Sequence, residues 1–304
     1  MWFIFALLTM FMWGAADLFY KKGAESSERY SHLLTTIAVG LVMGLQAAIT
    51  LIFGGIDYDP INIIIYLPVS LMYIVSMAVG YLGLKYLELS ISSPVQNSSG
   101  AISSILCLVV LSQVPSPIGF VGVALVCGGV IWLGVLEGST PAQIGEEKYK
   151  KGAFALIFPI IYAVIDALGS FFDAYYLDDI ATTPLVGVTE ETFEDVANVS
   201  YMLTFLIVAL VLFVWLVFIK KVEIEVPKQK NKALAAVFET AGQYFYVYAL
   251  SGGMAVVAGP IISAYSMVSI LLSWIFLKEK LAKWQYAAIA TVMLGIIALG
   301  IAEA

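Results

Sequence analysis

Two acidic residues stand deep inside apolar stretches of this chain, and the residues around them indicate what they could bind. Asp166 follows Tyr162 by four residues, with no lysine or arginine within two helical turns. Glu239 precedes Gln243 by four residues and Tyr246 by seven. These spacings place each group on one face of a helix. A carboxylate beside aromatic rings suits an organic cation, and a carboxylate inside a membrane can also carry a proton.

Structural interpretations of the same residues stay open. Asp166 would then be a buried carboxylate that is hydrogen-bonded to a neighbouring helix. Glu239 lies about 10 Å along a helix from Lys232, so its long side chain could extend to the membrane surface. The tyrosines would then be packing and interface residues, which are common in membrane proteins.

A further polar group lies between Ser90 and Ser104, in the sequence SISSPVQNSSGAISS. Small hydroxyl residues favour close packing of helices in lipid, but the amides of Gln96 and Asn97 exceed what packing needs. Pro94 and Pro260, one in each half of the chain, are candidates for helix breaks that would free backbone groups for a substrate.

The composition identifies an integral membrane protein. Of the 304 residues, 61% are hydrophobic and 12% are charged, about half the charged fraction of a soluble domain. Cys107 and Cys127 fall in apolar runs, and His32 is the only histidine. We therefore expect no metal site, no cofactor and no nucleic-acid partner. The expected partners are a small-molecule substrate and the lipid bilayer, with the monomer as the functional unit.

Apolar runs bounded by charges or turn residues predict ten membrane spans, numbered 1 to 10 here. They cover about residues 2–20, 33–53, 63–87, 91–111, 118–136, 152–177, 199–219, 233–250, 254–277 and 284–301.

The two halves of the chain repeat each other. A shift of 166 residues pairs Leu84 with Leu250, Pro94 with Pro260, Ser103 with Ser269, Gly129 with Gly295 and Glu137 with Glu303. A shift of 149 residues pairs Trp13 with Tyr162 and Asp17 with Asp166. Each half holds five spans, and an odd number means that the second copy enters the membrane upside down. The predicted fold is all-α, with two inverted five-helix repeats at 1–138 and 152–304, joined by a polar loop at 139–151.

Asp17 itself has a simpler interpretation than its repeat partner. It precedes Lys21 by one helical turn, which is the spacing of an ion pair on a helix. We expect Asp17 to be an interfacial residue that pairs with Lys21 or Lys22. Asp173, seven residues after Asp166, is expected to reach the outer headgroups.

The second half, YALSGGMAVVAGPIISAYSMVSILLSWIFLKEKLAKWQYAAIATVMLGIIALG, resembles the EamA-type carriers of the drug/metabolite transporter superfamily, including the LKEKL turn at 277–281. In the first half, LSQVPSP at 111–117 replaces that charged turn. The resemblance covers nearly the whole chain and implies a carrier with two five-helix units. It leaves the substrate undefined, because this superfamily moves amino acids, amines, drugs, sugars and nucleotide sugars on one scaffold.

The basic residues predict the orientation. All 15 lysines and arginines fall on one set of loops, whereas the loop between spans 6 and 7 is acidic. Positive charge marks the cytoplasmic side. This distribution predicts a multi-pass protein of the plasma membrane with both termini outside, while the resemblance implies both termini inside.

The leading hypothesis is a secondary transporter of a small organic solute, either an organic cation or amine or an amino-acid-like metabolite. It would work by alternating access around a central cavity, as a proton-coupled carrier or an exchanger. Asp166 and Glu239 are the candidates for proton coupling. The predicted substrate-binding residues are Trp13, Gln96, Asn97, Tyr162, Asp166, Glu239, Gln243 and Tyr246.

Other classes of function are less well supported by the sequence. A channel, or a membrane subunit that serves a partner protein, stays open as the alternative. An intramembrane enzyme is not expected, because HExxH is absent and His32 has no matched nucleophile. The sequence has no GxxxxGK[ST] loop, so the energy must come from a gradient or from the substrate itself.

Overall fold

The computed structural model describes residues 1–24, 28–87, 89–139, 157–251, 254–278 and 283–303, and these residues form helices and no strands. Six helical segments are long and apolar enough to cross a membrane: Trp2–Gly23, Ser31–Phe53, Ile157–Tyr176, Phe193–Ile219, Ala255–Leu277 and Lys283–Ala302. Shorter apolar helices lie at Leu67–Gly83, Val95–Val110 and Pro117–Leu133. This is the architecture of a multi-pass membrane protein.

The α-helices of the described residues are labelled here in chain order. They are α1 Trp2–Gly23, α2 Ser31–Phe53, α3 Ile61–Ile65, α4 Leu67–Gly83, α5 Leu89–Asn97, α6 Ser99–Val110, α7 Pro117–Ser139, α8 Ile157–Tyr176, α9 Phe193–Val214, α10 Lys230–Leu250, α11 Ala255–Ser263, α12 Tyr265–Leu272 and α13 Lys283–Glu303. Two π-helical turns, Trp215–Ile219 and Ser273–Leu277, extend α9 and α12. A 3₁₀ turn, Val226–Gln229, precedes α10.

Each predicted span contains helix, but three of the spans are divided. Span 3 breaks at Tyr66, span 4 at Ser98 and span 9 at Ala264. The count of ten crossings stays a prediction, because α10 and the shorter helices do not meet the length and apolarity expected of a single span. The predicted loop at 139–151 lies outside the described residues, apart from Ser139.

The breaks in spans 4 and 9 do not fall at the prolines. They fall four residues after Pro94 and Pro260. There backbone hydrogen bonds join residues three apart, which is the 3₁₀ pattern. Ser98 N donates to Val95 O at 3.3 Å, and Ala264 N donates to the carbonyls of both Pro260 and Ile261 at 3.1 Å. The two breaks are separated by the same 166 residues that relate the two halves of the sequence.

Helices α7 and α13 cross at glycines that allow their backbones to touch. A Cβ atom at Gly129 would lie 2.6 Å from Val292 Cγ2, and one at Gly295 would lie 2.7 Å from Val126 N. Residues nearer the start of α7 contact residues nearer the end of α13, so the two helices run antiparallel. The other main pairings are α1 with α10, α4 with α8 and α2 with α9.

Basic groups meet at one end of the bundle, called the lysine end here. Lys232 Nζ forms an ion pair with Glu28 Oε2 at 2.7 Å and donates to Gln229 Oε1 at 2.7 Å. Lys85 Nζ donates to the backbone carbonyls of Glu28 at 2.7 Å and Arg29 at 3.3 Å. These contacts tie the segment between α1 and α2 to the end of α4 and the start of α10.

Acidic residues gather at the opposite end, called the acidic end. Gln113 Nε2 donates to Asp178 Oδ1 at 2.6 Å. Asn62 donates to Val186 O and accepts from Val186 N, both at 2.9 Å. The charge asymmetry of the sequence is therefore an asymmetry between the two ends of the folded bundle.

The Lys232–Glu28 pair gives a prediction about stability. The Lys232 side chain is 1% exposed, so a neutral partner leaves its ammonium buried without a countercharge. We expect Glu28→Gln to lower the free energy of unfolding by about 1–3 kcal/mol. The matched control is Glu225→Gln, because Glu225 pairs with Lys228 at the same 2.7 Å but both side chains are exposed, and such pairs contribute about 0–1 kcal/mol.

For the same variant we expect the loss of stability to depend on pH in a known direction. Burial raises the pKa of Glu28. The hydrogen bond and charge of Lys232, together with hydrogen bonds from Ser31 and Gln229, lower it by more, so the net pKa lies below its ordinary value of 4.5. The pair therefore stabilises the fold fully above pH 4.5, and this contribution is lost as the pH falls through the lowered pKa. Thermal unfolding of the detergent-solubilised protein should show the gap between wild type and Glu28→Gln closing in acid. A gap that stays constant down to acid pH would contradict the pairing.

Candidate functional site

A cavity lies between the helices near the middle of the bundle. Residues of α1, α4, α5, α6, α8, α10 and α11 line it, together with side chains from α9 and α12. The structure brings all eight residues predicted from the sequence to this one cavity: Trp13, Gln96, Asn97, Tyr162, Asp166, Glu239, Gln243 and Tyr246. That these residues bind a substrate stays a prediction.

Hydroxyl groups from other helices hold the two predicted carboxylates. Asp166 Oδ2 accepts a hydrogen bond from Ser99 Oγ at 2.7 Å, and Ser76 Oγ lies 3.5 Å from Oδ1. Glu239 Oε2 accepts from the Tyr20 hydroxyl at 3.1 Å. Glu239 is buried and faces the cavity. The interpretation of Glu239 as a side chain that reaches the membrane surface is therefore wrong.

Asp17 is a third carboxylate on the cavity wall, and the predicted ion pair with a lysine is wrong. Its Oδ2 atom accepts from Ser93 Oγ at 2.6 Å and from Ser269 Oγ at 2.7 Å. Lys21 extends away, and its ammonium donates to the carbonyls of Leu84 and Leu87. The two residues are one turn apart, but Asp17 faces inward and Lys21 faces the lysine end.

Asp173 also differs from the prediction. It is fully buried and accepts a hydrogen bond from the Tyr66 hydroxyl, so it does not reach the headgroups. Its other oxygen, Oδ2, has no hydrogen-bond partner among the described residues. Asp173 joins α8 to the start of span 3 near the acidic end, outside the cavity lining.

The polar residues of span 4 act on the carboxylates through hydrogen bonds along the helix. Asn97 Nδ2 donates to Ser93 Oγ at 3.1 Å, and Ser93 in turn donates to Asp17. Gln96 Nε2 donates to Ser92 Oγ at 2.9 Å. Asn97 thus orients the serine that holds Asp17, which is a role that helix packing alone does not require.

Aromatic rings form much of the remaining wall. Trp13 lies 4.9 Å from Tyr246 and 5.8 Å from Tyr265 between ring centroids. The hydroxyls of Tyr73 and Tyr246 are 2.5 Å apart. Trp13 Nε1 donates to the backbone carbonyl of Glu239 at 3.3 Å, which anchors the ring to the helix that carries the carboxylate.

Glycines bring these aromatic rings close to the backbone of the facing helix. A Cβ atom at Gly242 would lie 2.3 Å from the Trp13 ring, and one at Gly80 would lie 2.8 Å from the Tyr162 ring. Any larger residue at either position would have to displace the ring. The close packing of α1 on α10 and of α4 on α8 therefore sets where Trp13 and Tyr162 stand.

Charge distinguishes this cavity from an ordinary helix interface. Three carboxylates line it, and none of the described lining residues is a lysine, arginine or histidine. Two buried donors on the wall, the Tyr81 hydroxyl and Gln243 Nε2, have no hydrogen-bond partner in the part of the chain that the structure describes. No group of three or more metal-ligating side chains occurs among the described residues. The wall thus combines carboxyl groups with aromatic rings.

Comparison with known proteins identifies the class. The model of the EamA-like transporter family matches residues 1–135 and 181–301. The chain belongs to this family, which is part of the drug/metabolite transporter superfamily, and it is therefore a multi-pass membrane protein of the transporter type. None of the curated proteins matches the chain.

A solved structure has the same fold. It carries only the description "Crystal structure of protein", and it shares 13% sequence identity with this chain at a TM-score of 0.66. The match covers 99% of this chain and 96% of the other. At this identity the likeness concerns the fold alone.

Sequence reasoning missed part of the cavity wall. It did not place Asp17, Ser99 or several tyrosines there; those tyrosines are Tyr20, Tyr73, Tyr81, Tyr201 and Tyr265. The repeat carried a signal for Asp17, because the shift of 149 residues pairs it with Asp166. The nearby lysine suggested an ion pair instead.

Proposed function

We propose that this protein is a secondary transporter of a small organic cation, which binds in the central cavity. The observation that carries the proposal is the wall of carboxyl groups and aromatic rings. Carboxylates attract a cation, and aromatic faces stabilise it further once water is excluded. An amino-acid-like solute fits less well, because none of the described lining residues offers a basic group to its carboxylate.

Alternating access requires two related halves, and three features support the predicted inverted repeat. The antiparallel crossing of α7 and α13 joins the two equivalent fifth helices. Its two contacts, Gly129 with Val292 and Val126 with Gly295, exchange under the shift of 166 residues. The breaks after Pro94 and Pro260 obey the same shift. The packing of α1 on α10 also corresponds to that of α8 on α4. The proposed units are residues 1–138 and 152–304, and they would rock about the cavity.

Proton movement is the proposed source of energy. Asp166 and Glu239 stand on different helices, and hydroxyl donors hold each of them. A carboxylate that binds a proton in one state and the cation in another couples the two flows, because both cannot occupy it together. The substrate then exchanges with one or more protons in a monomer.

We place the protein in the plasma membrane with the lysine end in the cytoplasm and both termini outside. The lysine end carries the basic groups of the described loops, and cytoplasmic loops are enriched in lysine and arginine.

The cation proposal predicts that Glu239→Gln weakens binding. The amide keeps the size of the side chain and removes its charge. We expect the apparent Kd of tetraethylammonium or choline, measured from the shift in thermal unfolding midpoint, to rise at least about tenfold. Glu225→Gln, which alters an exposed carboxylate outside the cavity, should bind as wild type does. Unchanged affinity in Glu239→Gln would remove the main support for the cation site.

Proton coupling predicts a distinct behaviour of Asp166→Asn. Uptake into proteoliposomes should lose its dependence on external pH, while exchange of substrate across the membrane continues, since exchange moves no net proton. Asp57→Asn, an exposed carboxylate at the acidic end, is the matched control and should keep the pH dependence of wild type. A normal pH dependence in Asp166→Asn would show that the proton is carried elsewhere.

Orientation can be measured with single cysteines in a variant that lacks Cys107 and Cys127. Glu190→Cys at the acidic end and Lys230→Cys at the lysine end are both exposed. In intact cells, an impermeant thiol reagent should label the first and spare the second. Labelling of Lys230→Cys alone would reverse the proposed orientation.

A further inference from the structure

We infer that the preferred substrate is a dication, a short linear diamine that places one ammonium at Asp17 and the other at Asp166. This inference rests on the proposed function, since it names the class of cation for the same cavity. It starts from the relation between the two aspartates, which the 149-residue shift makes equivalent members of the two halves. Equivalent carboxylates on the two sides of one cavity match a ligand with equivalent charges at its two ends.

Two serines of span 4 hold the two carboxylates at separate places along that span. Ser93 of α5 donates to Asp17 and Ser99 of α6 donates to Asp166, at 2.6 and 2.7 Å. The two serines are six residues apart, about 9 Å along a helix axis. The two carboxylates are therefore held at separate points along span 4, and the inferred ligand is a short aliphatic chain whose two ammonium groups bridge them.

The hydrogen bonds leave both carboxylates with capacity for a ligand. The two serine hydroxyls on Asp17 both meet Oδ2, and a carboxylate has about four acceptor sites over its two oxygens. Asp166 accepts a hydrogen bond on Oδ2 from Ser99, has a long contact from Ser76 on Oδ1, and is also hydrogen-bonded by Tyr162. An ammonium carries three donors, so it can bond to a carboxylate that is already held by hydroxyl groups.

A second observation points to a ligand at this place. The Tyr81 hydroxyl lines the same cavity and is 6% exposed; it lies beside the Tyr20 hydroxyl, which donates to Glu239, and it has no hydrogen bond of ordinary geometry among the described residues. A buried hydroxyl without a partner is unfavourable, and its oxygen can accept a hydrogen bond from an ammonium. Aromatic rings on the wall, Trp13 and Tyr265 among them, would pack against the apolar chain between the two charges.

Charge balance favours two positive charges over one. A single ammonium at Asp17 would leave Asp166 without a countercharge, since none of the described lining residues is basic. An unpaired charge away from water is costly. A diamine neutralises both aspartates at once, and each aspartate can exchange it for protons as in the proposed function.

The experiment compares two ligands that differ by one ammonium. Putrescine and n-butylamine have the same four-carbon chain, and their affinities can be measured by calorimetry on the purified full-length protein in detergent. We expect putrescine to bind at least about tenfold more tightly than n-butylamine. Asp17→Asn and Asp166→Asn should each lower putrescine affinity by at least about tenfold, toward that of n-butylamine. Asp57→Asn should leave the affinity of both ligands unchanged.

The outcomes separate this inference from the proposed function. If putrescine and n-butylamine bind equally to the wild type, the diamine is wrong while the cation site stands. If neither these amines nor tetraethylammonium or choline bind, the proposed function itself fails. The comparison of ligands uses the wild-type protein, so it remains decisive even if one asparagine variant does not fold. Equal loss of both ligands in a folded Asp17→Asn would also contradict separate ammonium sites.

Discussion

The fold depends on how the three carboxylates of the cavity wall are held without basic partners among the described residues. Serine and tyrosine hydroxyls from other helices supply the hydrogen bonds: Ser93 and Ser269 for Asp17, Ser99 for Asp166, and Tyr20 for Glu239. A hydroxyl can satisfy an acidic oxygen without cancelling its charge, whereas a lysine would do both. The helices must therefore approach closely enough for short side chains to reach. Glycines such as Gly242 and Gly80 allow this approach.

The residue types of the site were predictable because polar and acidic side chains are unfavourable in contact with lipid. A carboxylate, an amide or a tyrosine in an apolar span has to face the interior, and helical spacing then shows which of them share a face. This reasoning brought Asp166, Glu239, Gln96 and the rest of the predicted set to one cavity. It failed for Asp17, because spacing along one helix suggested Lys21 as its partner. The true partners are Ser93 and Ser269, which are separated from Asp17 by 76 and 252 residues of sequence, and local spacing gives no information on them.

Local features of the helices were harder to predict than the fold. The repeat and its resemblance to EamA carriers indicated the architecture, and the family match confirms that membership. The breaks were expected at Pro94 and Pro260 but lie at Ser98 and Ala264. A proline removes a hydrogen bond to the turn before it, whereas the 3₁₀ pattern follows one turn after it, so the prolines alone do not account for the breaks. The burial of Asp173 against Tyr66 depends on which helices pack together, which no single stretch of sequence states.

Solute counterflow tests the central claim most directly, because it asks whether one cavity exposes its carboxylates to the two sides of the membrane in turn. Proteoliposomes would be loaded with a high concentration of unlabelled organic cation and diluted into a trace of the labelled cation. A carrier should accumulate the label transiently above its external concentration, and the rate should saturate with substrate. Label that only equilibrates, at a rate that rises linearly with concentration, would contradict the account and indicate a pore.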